Sequence, residues 1–207
     1  RNPQSLTQHQ VLDIFRKKTA PAFEVALRVG ALYAGVSAHE EVEDVLHVYS
    51  EALGIAYQIR DDLSDLGEQG ETNDIAGLRP SLLLAIAHDK AKAEHKETIA
   101  NVWRRQLPAG GIAQIEALYA ELGADLRAKT LLETYKEQAI RSLADLENPN
   151  LKGLLRRTLG KIFNDVEIKG WCKEQEQLNG VRDGVRLEVS TPAPESAPRE
   201  LDTVLAK

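Results

Sequence analysis

Residues 54–65 read Gly54-Ile55-Ala56-Tyr57-Gln58-Ile59-Arg60-Asp61-Asp62-Leu63-Ser64-Asp65, a DDxxD cluster set inside an otherwise apolar helical pattern. This feature constrains the fold more than any other. A packed helix cannot carry three aspartates without giving them water, a counter-charge or a cation. At about 100° per residue, Gly54, Gln58, Asp61 and Asp65 fall within roughly 60° of one another. Val45, Tyr49, Ala52, Ala56, Ile59 and Leu63 lie on the opposite side. The expected helix therefore packs on one face and turns carboxylates toward a cavity on the other. Oxygen ligands of this kind suit Mg²⁺, which takes one or two carboxylates and completes its shell with phosphate oxygens and water. The default alternative is an exposed acidic turn, because aspartates on a helix usually form a solvated face.

The rest of the chain is helical in pattern, with no convincing alternation of apolar and polar residues. A first helix is expected over 7–18, and Pro21 restarts a second that runs to Ala34, with Gly35 closing it. Ser37 and Glu40 form a capping box opening a long helix over 38–66. A polar loop follows over 67–79. Pro80 begins a helix to about Arg105, and Pro108-Ala109-Gly110-Gly111 breaks it. One long helix then runs to about Glu147. Asn148-Pro149-Asn150 precedes a last helix from about Leu151 to Trp171. Arg156, Arg157 and Lys161 give that helix a basic stripe, read as a solvated face. His47 falls on the Asp61 face; its default reading is a packed or hydrogen-bonded histidine, with lining of the cavity as the alternative.

Composition narrows the function classes. With 26 basic and 32 acidic residues the net charge is −6, which argues against a nucleic-acid surface. The single cysteine, Cys172, excludes an intrachain disulfide and fits a reducing cytoplasm. No apolar run approaches the roughly 18 residues of a transmembrane span. No Ser-His-Asp or Cys-His arrangement suggests nucleophilic catalysis. The segment from about Gln175 loses its hydrophobic period and contains Thr191-Pro192-Ala193-Pro194-Glu195-Ser196-Ala197-Pro198. It is expected to be a polar, disordered tail, so that 1–174 forms a helical domain and 175–207 does not.

Three elements in order carry a family resemblance: Lys17-Lys18-Thr19-Ala20-Pro21-Ala22-Phe23, then Gly30-Ala31-Leu32-Tyr33-Ala34-Gly35, then Leu53-Gly54-Ile55-Ala56-Tyr57-Gln58-Ile59 leading into the aspartates. Together they resemble the C-terminal half of a trans-isoprenyl diphosphate synthase, of the polyprenyl synthetase family. The resemblance covers roughly residues 10–165 and is closest over 17–66. It implies an all-α, isoprenoid synthase-type helical bundle, incomplete at its N-terminal side. The implied activity is condensation of an allylic diphosphate with isopentenyl diphosphate to a longer trans-polyprenyl diphosphate, dependent on Mg²⁺. The usual assembly in the family is a dimer, here a homodimer or heterodimer.

The same resemblance implies residue roles. Lys18 matches the lysine that contacts the allylic diphosphate, Thr19 its neighbour at the helix break, and Gln58 the glutamine before the second aspartate motif. Asp61 matches the carboxylate that binds Mg²⁺, with Asp62 and Asp65 mainly indirect. Arg79, in Gly77-Leu78-Arg79-Pro80-Ser81-Leu82, stands near a family lysine that contacts diphosphate.

Two departures bear on this. The loop Gly67-Glu68-Gln69-Gly70-Glu71 has no lysine where the family often has Gly-Lys, and the first aspartate-rich motif with its arginines is absent. The sequence lacks methionine and begins at Arg1, so it reads as a piece whose first helices and first metal motif precede Arg1. Such a piece carries one wall of the site and is expected to be inactive alone. Two other readings stay open. One is a non-catalytic regulatory or structural subunit of a prenyltransferase, which the missing motif favours and retention of Lys18, Gln58, Asp61 and Asp65 does not. The other is a head-to-head synthase of the squalene or phytoene type, which the Lys18-Thr19-Ala20 element opposes. A class I terpene cyclase is disfavoured, because neither register from Asp61 or Arg60 supplies its full ligand triad.

Overall fold

The chain was analysed as a computed structural model. It describes residues 4–35, 40–66, 75, 79, 81–107 and 111–165, all within the unit Arg1–Cys172. The expected capping box at Ser37, most of the loop after the aspartates, residues 166–171 of the expected last helix and the tail boundary at 174/175 lie outside the described residues.

Among the described residues there are eight helices and no strand, so the all-α expectation holds. They are α1 (Gln8–Lys18), α2 (Ala20–Tyr33), α3 (Glu40–Ser64), α4 (Leu82–Lys90), α5 (Ala93–Trp103), α6 (Gly111–Glu121), α7 (Ala124–Ser142) and α8 (Pro149–Ile162). Thr7 opens α1 with a capping box, its hydroxyl accepting the Gln10 N–H while the Gln10 side chain accepts the Thr7 N–H. Pro21 sits in the first turn of α2, where a missing N–H costs nothing. Gly35, at φ +71°, follows the end of α2 in the left-handed region that glycine adopts freely.

The central helix is α3. Its N-terminal half (Val42, Val45, Leu46, Tyr49, Ala52, Leu53) packs in one core cluster with Ala139, Leu143, Leu146, Leu155 and Leu159. Its C-terminal half (Ile55, Ile59) packs in a second with α1, α4, α5, α6 and the start of α7. Helix α7 therefore runs antiparallel to α3 and shares both clusters. The apolar stripe expected on α3 is buried, with Leu63 alone half-buried. Tyr49 is fully buried and donates from its hydroxyl to the Leu155 carbonyl at 2.8 Å, pinning α8 onto α3.

Five expected boundaries are corrected. The helix expected from Pro80 to Arg105 is two helices, because Ala91 and Lys92 are extended. Nothing in Lys90-Ala91-Lys92 breaks a helix locally. Tertiary contacts do: Ala91 is buried, and Lys90 Nζ donates to the Leu122 and Gly123 carbonyls at 3.0 and 3.1 Å, closing the C-terminus of α6. The long helix expected to Glu147 is also two, split at Gly123, whose φ of +59° is left-handed, and it ends at Ser142 so that Leu143 and Leu146 can turn inward. Helix α8 begins at Pro149, two residues early, because the Asn148 side chain accepts the Asn150 and Leu151 N–H groups and makes Pro149 its first residue. It stops at Ile162, with Asn164 left-handed at φ +52°.

The basic stripe of α8 is corrected as well. Lys161 is exposed, but Arg156 and Arg157 are half-buried, and Arg156 Nε is buried without a hydrogen-bond partner. Helix α2 shows the opposite anomaly. Its outer face exposes Val25, Val29, Leu32 and Tyr33, the last 96% accessible.

Candidate active site

The candidate site forms where α2 stops covering α3. Helix α2 runs antiparallel along the Asp61 face of α3. Arg28 pairs with Glu43 at 3.0 Å, Glu24 with His47 at 3.0 Å, and Ala20 meets Gly54. His47 is thus an exposed partner of Glu24, set against α2, which agrees with its default reading as a hydrogen-bonded histidine and not with the cavity-lining alternative. Burial opposes the charge on Glu24, but hydrogen bonds from His47 and Arg28 outweigh it and hold its carboxyl below the usual range.

The Gly54–Ala20 contact fixes the upper edge of the site. A methyl group on Gly54 would lie 2.7 Å from both the N and Cα of Ala20. Only glycine permits this approach, which explains a glycine inside a long helix. It also seats the break between α1 and α2 directly on α3. Lys18, exposed, and Thr19, half-buried, are the two residues before Ala20. At 1.5 Å rise per residue, Asp61 lies about 10 Å further along α3. Gln58 lies between Gly54 and Asp61 on the same face of α3, and the helix break that carries Lys18 and Thr19 is seated at the Gly54 end of that face.

Asp61 is held lightly. Its side chain is 46% exposed. Gln58 Nε2 donates to Oδ2 at 3.4 Å, and Arg60 Nη2 donates to Oδ1 at 3.4 Å. Charge-assisted hydrogen bonds run nearer 2.7–2.9 Å, so both oxygens are oriented without being saturated. Arg60 is more firmly fixed. Its Nη1 donates to the Ile162 carbonyl at 2.6 Å, and its guanidinium carbon lies 4.5 Å from the Tyr57 ring centroid and 5.7 Å from that of Phe163.

Asp62 does something the sequence reading missed. One of its oxygens accepts the Leu82 N–H at 2.6 Å, at the first residue of α4, while Ser81 caps the same end through Leu84 N–H. A carboxylate there satisfies an orphan donor and the positive end of the helix dipole. The contact also returns the chain to α3 after the loop. Arg79, three residues before Leu82 and exposed, is thereby kept within about 11 Å of that junction. Asp65 is half-buried in the turn just after α3 and continues its pattern, with its N–H on the Asp61 carbonyl at 3.2 Å. The Ser64 hydroxyl donates to the Arg60 and Asp61 carbonyls, closing the last turn.

Among the described residues no group of three or more His, Cys, Asp or Glu side chains converges into a metal cage. The donor set instead fits a hard cation that takes one or two carboxylates and leaves its other positions to phosphate and water. A groove of about 510 Å³ lined by Thr98, Asn101, Gln106, Leu107 and Gln114 lies on α5, α6 and the chain between them, away from every expected site residue. No described helix is long and apolar enough to cross a membrane.

In sequence and fold the chain is similar to known proteins. Over 64 residues the chain is 38% identical to a short chain isoprenyl diphosphate synthase of Methanocaldococcus jannaschii, covering 30% of this chain and 19% of that one. Its fold matches a polyprenyl synthase of Roseobacter denitrificans with a TM-score of 0.67 and 29% identity, over 76% of this chain and 52% of that one. It also matches a geranylgeranyl pyrophosphate synthase of Corynebacterium glutamicum, solved with isoprenyl diphosphate and magnesium, with a TM-score of 0.64 and 25% identity, over 75% and 46%. The fold is therefore the isoprenoid synthase-type helical bundle. The chain spans about half the length of these solved structures and under a fifth of the curated relative. The sequence model of the family described as Polyprenyl synthetase matches residues 1–122, more than half of the chain, and the chain belongs to that family.

Proposed function

We propose that this chain carries one wall of the active site of a Mg²⁺-dependent trans-prenyltransferase, which joins an allylic diphosphate to isopentenyl diphosphate. The observation that carries the reading is the half-exposed Asp61 carboxylate, oriented on both oxygens at 3.4 Å, on the stretch of α3 left uncovered below Gly54. Asp61 is the metal ligand, with Asp65 assisting and Asp62 shared with the α4 cap. Mg²⁺, when bound, would offset the charge of the departing diphosphate. Lys18 and Arg79 supply fixed positive charge toward the diphosphate. Thr19 seats Lys18 at the helix break, and Gln58 orients Asp61. The reaction needs no nucleophile and no strong base from the protein, in keeping with the residues at hand.

The opposite wall comes from the remainder of the bundle, and the exposed apolar face of α2 is the surface available to meet it. A dimeric, cytoplasmic enzyme is part of the same reading. The exposed α2 face also favours a second reading, a non-catalytic subunit that docks on a catalytic partner.

The test is to compare Asp61→Ala with Asp65→Ala in the complete polypeptide, using dimethylallyl or geranyl diphosphate with isopentenyl diphosphate. Loss of the direct ligand should cost several kcal/mol of transition-state stabilisation, about a hundredfold or more in kcat/KM, and Asp65→Ala less. Parent-like turnover by Asp61→Ala refutes the reading. The 207 residues alone, with both diphosphates and Mg²⁺, should form no elongated product, because water reaches an uncovered site.

A further inference from the structure

Arg60, next to Asp61, has its position set by groups other than Asp61. One arm of its guanidinium donates to the Ile162 carbonyl at the end of α8 at 2.6 Å, and its central carbon lies over the Tyr57 ring at 4.5 Å and the Phe163 ring at 5.7 Å. The other arm reaches Asp61 at 3.4 Å. Arginine is the side chain suited to this, since it is planar, stacks on rings and donates in two directions at once. The last carbonyls of a helix attract a cation, so α8 keeps the charge in place. Phe163 is tied down in turn by the Lys136 ammonium 5.9 Å from its ring and by the Lys136–Asp165 pair at 2.6 Å, which joins α7 to the end of α8.

We propose that Arg60 is a positioning residue that makes the Asp61 wall selective for a metal–diphosphate complex over the bare cation. The proposal rests on the prenyltransferase reading and deepens it. A bare divalent cation approaching Asp61 meets the repulsion of a guanidinium that cannot swing away. A metal already carrying diphosphate brings net negative charge, so the same guanidinium attracts it. The pair thus orders binding, with the cation retained only in company with its anion. At 34% and 46% exposure, the pair sits in partly screened surroundings, and the effect is sized accordingly.

The experiment uses the chain itself, with Mn²⁺ in place of Mg²⁺ and inorganic pyrophosphate as the anion. Equilibrium dialysis counts metal and pyrophosphate retained, each alone and together, for the native chain, Arg60→Gln, Arg60→Lys and Asp61→Asn. Arg60→Gln should bind Mn²⁺ alone about two- to fivefold more tightly and lose a similar factor in retention of the Mn²⁺–pyrophosphate pair. Arg60→Lys, which keeps the charge, should restore most of the preference. Arg60→Met keeps an unbranched stem beside the rings and serves the same comparison if Arg60→Gln does not fold. A purely structural role would lower the melting temperature and leave the preference unchanged, and that result overturns the proposal. So does a native chain that binds Mn²⁺ as tightly alone as with pyrophosphate. Asp61→Asn tests the underlying function separately. If Asp61→Asn retains the Mn²⁺–pyrophosphate pair as well as the native chain does, the metal-wall reading itself fails, whatever Arg60 does.

Discussion

Replacing Gly54 by alanine isolates the contact on which the site geometry rests. In a helix interior the change is favourable by about 1 kcal/mol, because glycine loses more backbone freedom on folding. Against this stands the new methyl group, 2.7 Å from the N and Cα of Ala20 and 3.1 Å from its Cβ. Ordinary carbon contacts are about 3.5–4.0 Å, so the start of α2 must retreat by roughly 1 Å. The obstructing atoms are backbone, and no rotamer change relieves them. Overpacking of this kind costs about 1–3 kcal/mol, and a backbone clash belongs at the upper end. The net expectation is a loss of about 1–2 kcal/mol, or roughly 3–6 °C in melting temperature for a chain of this size.

Thermal and urea unfolding of Gly54→Ala measure this directly. A second variant sharpens it. Ala20→Gly removes the 3.1 Å contact but neither of the 2.7 Å contacts, so the double mutant should recover little. A Gly54→Ala chain that melts at or above the native temperature would refute the argument, since propensity would then outweigh the clash. The retreat also carries Thr19 and Lys18 away from Gln58 and Asp61, so pyrophosphate retention with Mn²⁺ should fall in the same variant.

Two further changes probe how α8 is held. Lys136→Met removes a pair at 2.6 Å whose side chains are 11% and 17% exposed, and urea unfolding should report a loss of about 1–3 kcal/mol, less than for a fully buried pair. Burial disfavours the Lys136 charge, yet hydrogen bonds to Asp165 and Glu133 outweigh it and raise its pKa; the stabilisation is therefore complete at neutral pH and fades only as pH climbs past the lysine's ordinary value of about 10.4, a limb that Lys136→Met should flatten. Tyr49→Phe deletes the 2.8 Å hydrogen bond to the Leu155 carbonyl without changing shape and should cost about 0.5–1.5 kcal/mol by the same assay.

How much of this was legible in the sequence depended on whether the cause was local. The α3 pattern was readable because one face buries aliphatic side chains at every turn and a period of 3.6 shows it. The ends of α2 were readable because Pro21 and Gly35 act on their own turns. The break at Ala91 was not, since it is driven by Lys90 reaching carbonyls over 30 residues away. Gly123 was a missed signal: a glycine within a helical period marks a possible left-handed residue.

The site follows the same division. Asp61, Gln58 and Lys18 are assigned through motif order, and the Gly54–Ala20 contact seats the α1–α2 break on α3. Asp62 was grouped with the metal residues because spacing alone cannot show that Leu82 claims one of its oxygens. Arg60 went unassigned, although Tyr57 three residues before it is a helix-surface neighbour able to stack on a guanidinium. Its other partners, Ile162 and Phe163, are about a hundred residues away, where motif resemblance had faded to architecture. That distance is the substantive point. The motif brings the chemistry to α3, but α8, from beyond the stretch matched by the family model, sets the charge beside it. On the proposed reading, variation in the C-terminal part of this chain would tune what Asp61 binds without altering any residue of the DDxxD cluster.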